Sequence, residues 1–335
     1  MESVLLGFSG GIDSCAAAEW LKRRGYRVVA LTIDTTHDQT LVNNARLRAK
    51  ELDIEWISID QSSLFRHEII DHFIESYAKG ETPAPCTRCN PLIKWHTLLN
   101  VANNHGIDYI ATGHYFRVER HNGRYYVAKA SDPAKDQSYY LWGLSQEILQ
   151  RAITPMSDAI KSEIKSNLKD RSESMGICFL SGKHYTEFLS EQGATLTVGD
   201  VVDSNGVVVG AHNGIARYTI GQKRGMGIPE GLRVIDIDAK HNRLIVGENK
   251  LLYKKTLYIN ECNFVDLDEG LTAPDITIKI RGIGRNPEGF VRVEKSSDGY
   301  KIECDDAAWA PAKGQPVVLY RKNLVIGGGI VVGFE

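Results

Sequence analysis

The residues best suited to chemistry in this 335-residue sequence are three cysteines and one glycine-rich turn. Cys86 and Cys89 form a Cys-x-x-Cys within Thr-Pro-Ala-Pro-Cys-Thr-Arg-Cys-Asn-Pro, and Cys178 stands in Met-Gly-Ile-Cys-Phe-Leu. A cysteine attacks carbon or sulfur, and binds metals, as its thiolate; a helix start with basic neighbours lowers the thiol pKa. Cys86 and Cys89 precede a predicted helix, with Arg88 and Lys94 close by in sequence, so activated thiols are expected. Two plainer readings stay open. One is a zinc site completed by His96 or His184; the other is cysteines buried as small apolar residues. No second Cys-x-x-Cys is present to complete a four-sulfur zinc site.

The turn is Ser9-Gly10-Gly11-Ile12-Asp13-Ser14, between an apolar run and an alanine-rich segment. A strand that breaks into small residues and then a helix points backbone N–H groups at an anion, and the helix dipole assists. The Ser9 and Ser14 hydroxyls can add donors. No Lys-Ser or Lys-Thr pair follows Gly11, unlike the loop of enzymes that transfer a terminal phosphoryl group. A purely structural strand–helix turn is the plainer alternative.

Elements that position these residues are legible on both sides. Residues 4–8 read as a buried strand, 15–25 as a helix stopped by Gly25, 27–34 as a second strand, 40–53 as a second helix and 54–60 as a third strand. Residues 91–106 read as a helix and 109–115 as a strand. This alternation predicts an α/β fold, a parallel sheet wrapped by helices. From about residue 195 short β-rich runs separated by Asn-Gly, Gly and Asp turns predict smaller all-β domains. The expected boundaries are 1–192 for the nucleotide-binding catalytic domain, 193–253 for a small β-rich domain and 254–335 for a C-terminal β-barrel-like domain.

Composition narrows the class. The hydrophobic share of 42% and charged share of 24% are those of a soluble globular protein, and the formal charge of −2 calls for a local basic surface if nucleic acid is bound. No basic stretch precedes the first apolar run, so no secretory leader is expected, and no apolar run reaches the ~18 residues that span a bilayer. Six cysteines without such a leader suggest reduced thiols in the cytoplasm. Lys279, Arg281, Arg285 and Arg292 against a single acid, Glu288, make a stripe suited to phosphate contacts or simply a solvated face.

The hexapeptide resembles the PP-loop, Ser-Gly-Gly-x-Asp-Ser, of the N-type ATP pyrophosphatases (adenine nucleotide alpha hydrolase-like folds). The resemblance implies cleavage between the α and β phosphates of ATP, giving an adenylate and pyrophosphate, with Asp13 helping to hold Mg²⁺. Gly7, Phe8, Ser9, Gly10, Gly11, Ile12, Asp13 and Ser14 would bind ATP, as would Ile33 through its backbone and Gly113. Beyond the turn, the segments 82–95, 109–118, 135–144, 175–180, 218–228 and 327–331 are similar, in order, to motifs of tRNA-specific 2-thiouridylases. That family replaces the C2 oxygen of a wobble uridine with sulfur.

Membership would give Cys178 a persulfide and make Cys89 the second catalytic thiol, with a Cys89–Cys178 disulfide to be reduced between turnovers. Ala84, Pro85, Cys86, His114, Lys135, Asp136, Gln137, Arg281, Gly282 and Gln315 would face tRNA or its target base. Two departures stand out: many members have Asn-Pro-Asp where this chain has Ala84-Pro85-Cys86, and the usual Arg-Tyr pair is Arg281-Gly282. The extra thiol suggests a second route, in which Cys86, Cys89 and Cys178 ligate a 4Fe–4S cluster. Lys223 and Arg224 could meet phosphate, and Cys15, Cys262 and Cys304 read as structural. Expected partners are tRNA and a sulfur-donor protein, with the enzyme a monomer. The rival readings are an amide-forming ligase of the PP-loop class and a non-catalytic RNA-binding protein.

Overall fold

The computed structural model describes residues 1–167, 176–194, 196–223, 229–282 and 284–335. The chain forms two compact units: residues 1–69, 86–179 and 323–326 make the first, and residues 70–85, 180–322 and 327–335 the second.

The first unit begins β1 (Ser3–Gly7), α1 (Ile12–Arg23), β2 (Arg27–Asp34), α2 (Gln39–Glu51) and β3 (Glu55–Asp60). It continues with β4 (Tyr109–Thr112), β5 (Arg117–His121), β6 (Arg124–Ala128) and β7 (Ala152–Ile153). The sheet runs β3-β2-β1-β4-β7 with every pair parallel. Val4, Leu5 and Leu6 are fully buried, and a strand apolar on both faces must lie centrally with helices on either side. α1 presents Cys15, Ala17, Ala18 and Leu21 to the core that includes Val4 and Leu6. α2 is started by Asp38, whose carboxylate accepts from the Thr40 and Leu41 N–H groups at 2.9 and 3.3 Å. β5 and β6 form a hairpin around Asn122-Gly123 that the sequence pattern did not announce.

The cysteine helix is not regular. Pro85–Cys89 is α-helical, Asn90–Trp95 widens into a π turn, and His96–His105 is α-helical again. Pro91 has no N–H to donate, so a regular ladder cannot pass through it, and the widened turn absorbs the defect.

In the second unit, β8 (Val198–Val202), β9 (Val208–Asn213), β10 (Arg233–Asp238) and β11 (Arg243–Gly247) form one sheet ordered β10-β11-β8-β9 around Val201, Val234, Leu244 and Val246. The strands β12 (Tyr253–Phe264), β13 (Ile276–Lys279), β14 (Val291–Ser296), β15 (Gly299–Trp309), β16 (Pro316–Arg321) and β17 (Leu324–Phe334) form another, ordered β13-β16-β17-β12-β15-β14. No helix among the described residues is long and apolar enough to cross a membrane.

Candidate active site

The cradle lies where β1 gives way to α1. Gly10 takes φ of +73°, a conformation open to glycine, and its Cβ position would crowd the Ala45 backbone at 3.0 Å. Among the described residues no side chain caps α1, so the amides of its first turn remain for an anion. The Ser14 hydroxyl donates to the Gly11 carbonyl at 3.0 Å and lies 3.3 Å from the Ser9 hydroxyl. Gly7 and Phe8 lead into the turn; the Phe8 N–H donates to the Leu31 carbonyl, and its own carbonyl accepts from Thr32 Oγ1 at 2.9 Å. β1 pairs with β2 only as far as Gly7 opposite Leu31, so Ile33 lies beyond the end of that pairing, where a ligand could reach its backbone. Gly113 packs against the start of α1. A Cβ there would meet the Asp13 carbonyl carbon and the Ser14 nitrogen, both at 2.9 Å. Its missing side chain makes room for the start of α1.

Asp13 is held by two groups that sequence reasoning did not single out. Its Oδ1 accepts from the Tyr115 hydroxyl at 2.7 Å and from Lys161 Nζ at 2.5 Å. Lys161 is buried, and nothing local in Ile-Lys-Ser-Glu marks it as part of a site. Tyr115 is itself gripped by Gln137, which accepts from the Tyr115 N–H and donates its own N–H to the Tyr115 carbonyl, each at 2.9 Å.

The structure brings the three predicted thiols into one electrostatic neighbourhood of the first unit, with Lys94. Cys89 is buried, Cys86 half-buried and Cys178 exposed, and all three are free. Burial pushes the Cys86 thiol up and drives Cys89 up to about 12; the Lys94 ammonium opposes this, and the Cys178 sulfur adds to it. The expectation of lowered thiol pKa values at the helix start is therefore corrected, because desolvation outweighs the helix dipole. Arg88 does not help: it points to Glu68, bonding its carbonyl at 2.9 Å and its carboxylate at 2.6 Å. Burial works against the Lys94 charge, yet the sulfurs of Cys89, Cys178 and Cys86 outweigh it and raise the lysine above its ordinary value. Among the described residues no group of three or more His, Cys, Asp or Glu is placed to hold a metal. Among the described residues Cys86, Cys89 and Cys178 therefore form no such group, with or without His96 or His184.

His114 is half-buried, stacked on Trp95 with centroids 6.4 Å apart, and its Nδ1 lies 2.8 Å from Thr112 Oγ1. Burial, with Lys94 nearby, lowers its pKa to about 3, so it is a neutral ring rather than a cation for RNA. Asp136 accepts from the Ser138 hydroxyl at 2.8 Å and from the Ala130 N–H at 3.2 Å. Asp136 and Gln137 thus fasten their own loop, while Lys135 is half-exposed.

The second unit holds the other predicted contacts. Ala84 and Pro85 follow Thr82, whose N–H donates to the Lys313 carbonyl at 2.8 Å, close to Gln315 in sequence. The Gln315 Oε1 is buried without a hydrogen-bond partner among the described residues. Arg281 lies over the Trp309 ring at 5.2 Å and donates to the Trp309 and Ala310 carbonyls. Trp309 thus supplies an aromatic neighbour where Gly282 has none. Of the basic stripe, Arg285 lies over Tyr253 at 5.6 Å, Lys279 over Tyr320 at 5.3 Å, and Arg292 pairs with Glu303 at 3.7 Å. Lys223 is exposed, and Arg224 lies outside the described residues. Cys15 and Cys304 are buried, and the Cys262 thiol donates to the Asn260 carbonyl at 3.3 Å.

Three family models match the chain. They are described as the tRNA methyl transferase HUP domain over residues 2–182, the tRNA methyl transferase PRC-barrel domain over 186–248 and the aminomethyltransferase beta-barrel domain over 254–331. The tRNA-specific 2-thiouridylase MnmA of Clostridium acetobutylicum is 34% identical, over 98% of this chain and 99% of that protein. The protein of the same name from Clostridioides difficile is also 34% identical, over 98% of each chain. Similarity at this level over nearly the full length of both partners places the chain in the tRNA-specific 2-thiouridylase family.

Proposed function

We propose that the chain is an ATP-dependent tRNA 2-thiouridylase, acting on the C2 oxygen of the wobble uridine. The observation that carries this reading is that an uncapped glycine cradle and the thiols Cys86, Cys89 and Cys178 occur in one compact unit.

The chemistry follows from the need for a leaving group. A pyrimidine carbonyl oxygen departs poorly. Attack of that oxygen on the α-phosphorus of ATP breaks the α–β phosphoanhydride bond and sends its electron pair away with pyrophosphate. The amides of α1, with Ser9 and Ser14, would hold the phosphate oxygens. Asp13 keeps Oδ2 without a partner among the described residues and would hold Mg²⁺ through it. When bound, that ion would neutralise phosphate charge. The terminal sulfur of a Cys178 persulfide then attacks C2 and AMP leaves. The Cys89 thiol, which gives up its proton only as it attacks, bonds to the Cys178 sulfur and breaks the bond of that sulfur to the transferred one; the proton goes to the departing sulfur, leaving thiouridine with a Cys89–Cys178 disulfide, which an external thiol reduces. Cys178 is exposed and suits loading by a donor protein; Cys89 is buried and suits the resolving step. tRNA and a persulfide-carrying protein are the partners in this reading, with a monomeric enzyme working in the cytoplasm.

The test mixes the protein with unmodified tRNA, Mg²⁺–ATP and a persulfide donor and analyses the nucleosides by mass spectrometry. Failure to form 2-thiouridine with a competent tRNA and donor overturns the proposal. An amide-forming ligase would survive Cys89→Ser with Cys178→Ser, whereas thiolation would be abolished. Pyrophosphate release that depends on tRNA would exclude a non-catalytic RNA-binding protein.

A further inference from the structure

We propose that Tyr253 and Trp309, with the guanidinium groups of Arg285 and Arg233 laid on their rings, form a platform on the second unit that takes an unpaired nucleotide of the RNA, its base on a ring and its phosphate on an arginine. The inference rests on the tRNA reading above and gives that substrate a contact surface.

Tyr253 opens β12 and Trp309 closes β15, and the two are direct partners across that antiparallel pair. Cross-strand partners project to the same face with Cβ atoms about 5 Å apart, so the two rings stand side by side. Each ring carries a cation. The Arg285 guanidinium lies 5.6 Å from the Tyr253 centroid and donates to its hydroxyl at 3.2 Å. That of Arg233 lies 5.8 Å from the Trp309 centroid and donates to the Gly221 carbonyl at 3.0 Å. Arg281 approaches Trp309 as well, at 5.2 Å. The frame is pinned from both sides: Trp309 Nε1 donates to Asn249 Oδ1 at 3.1 Å, and Asn286 Oδ1 accepts from the Ile280 and Arg281 N–H groups at 2.7 and 3.1 Å.

These arginines are held differently from others in the same unit. Arg243, Arg292 and Arg321 pair with Asp200, Glu303 and Asp275. Among the described residues Arg233 and Arg285 have no carboxylate partner and rest on rings instead. A ring face attracts a guanidinium without neutralising it, so the charge and the N–H edge remain for a phosphate. Tyr253 is also 38% exposed, which leaves it open to a second flat group. Unpaired RNA uses this combination: its bases stack on aromatic or guanidinium planes while basic groups follow its backbone. A duplex keeps its base faces inside the stack and would use only the charge. An acidic protein segment would likewise need the arginines and not the rings.

The test is filter binding of the full-length protein to unmodified tRNA across a salt series, with a single-stranded RNA of about ten nucleotides and a blunt duplex of the same sequence as further probes. Tyr253→Ala is expected to weaken tRNA and the single strand about tenfold, the scale of one lost base stack, and the duplex much less. Tyr253→Phe keeps the ring and should bind like the wild type. Arg285→Gln should lower the slope of log affinity against log salt by about one. Wild-type tRNA affinity in Tyr253→Ala, equal losses in the Ala and Phe variants, equal losses for single strand and duplex, or an unchanged slope in Arg285→Gln would overturn the platform. Unchanged tRNA binding with weakened binding of a persulfide-carrying donor protein would overturn it too, and make this surface a protein contact. A wild-type protein with no affinity for tRNA overturns the tRNA reading instead.

Discussion

Protonating His114 should destabilise the first unit by an amount that can be worked out from its surroundings. Its pKa is lowered from 6.5 to about 3 by burial, with the Lys94 ammonium adding to the effect. The folded protein therefore binds fewer protons than the unfolded chain between these values. Stability from this residue is fully present above pH ~6.5 and is lost as pH falls toward ~3. Each pH unit in that window removes about 1.4 kcal/mol, so the loss by pH 5 reaches about 2 kcal/mol, an upper figure for a half-buried ring. The perturbation is His114→Asn, which keeps a polar group near Thr112 but does not titrate. Urea unfolding followed by tryptophan fluorescence at pH 7 and pH 5, in both proteins, cancels the other titrating groups. The wild type should lose about 2 kcal/mol more than the variant between the two conditions. An identical pH dependence in both would refute the argument, because a ring enclosed beside Trp95 and Lys94 cannot titrate like one in water.

Cys89 works in the opposite direction. Its pKa is raised from 9.0 to about 12, so its contribution is present below pH ~9 and lost as pH climbs toward ~12; Cys89→Ser should flatten alkaline unfolding monitored by circular dichroism. Gly113→Ala would push a methyl group into the Asp13–Ser14 peptide at 2.9 Å. It should cost about 1–3 kcal/mol of stability in a melt and weaken ATP in a binding titration. Arg281→Ala should weaken tRNA binding in filter assays and reduce the slope of log affinity against log salt by about one, the mark of a lost phosphate contact; an unchanged slope would remove Arg281 from the RNA surface.

The sequence by itself determined what local pattern can encode. The apolar run at residues 4–6 called for a buried strand, the small residues 9–14 for a strand–helix turn that could cradle an anion, and the ordered motifs around Cys89, His114 and Cys178 carried the family resemblance. Asn122-Gly123 held a hairpin signal that was present but not read, and Pro91 marked the helix that widens around it. What the tertiary structure alone decided depends on neighbours through space. Lys161 meets Asp13 only because chain 148 positions away folds back onto the turn. Gly113 turns out to accommodate α1, and Asp136 and Gln137 to hold their own loop and Tyr115. The ionisation of Cys89 and His114 is set by how much water folding removes, a quantity that depends on the packing of distant residues and that residue types and spacing do not carry.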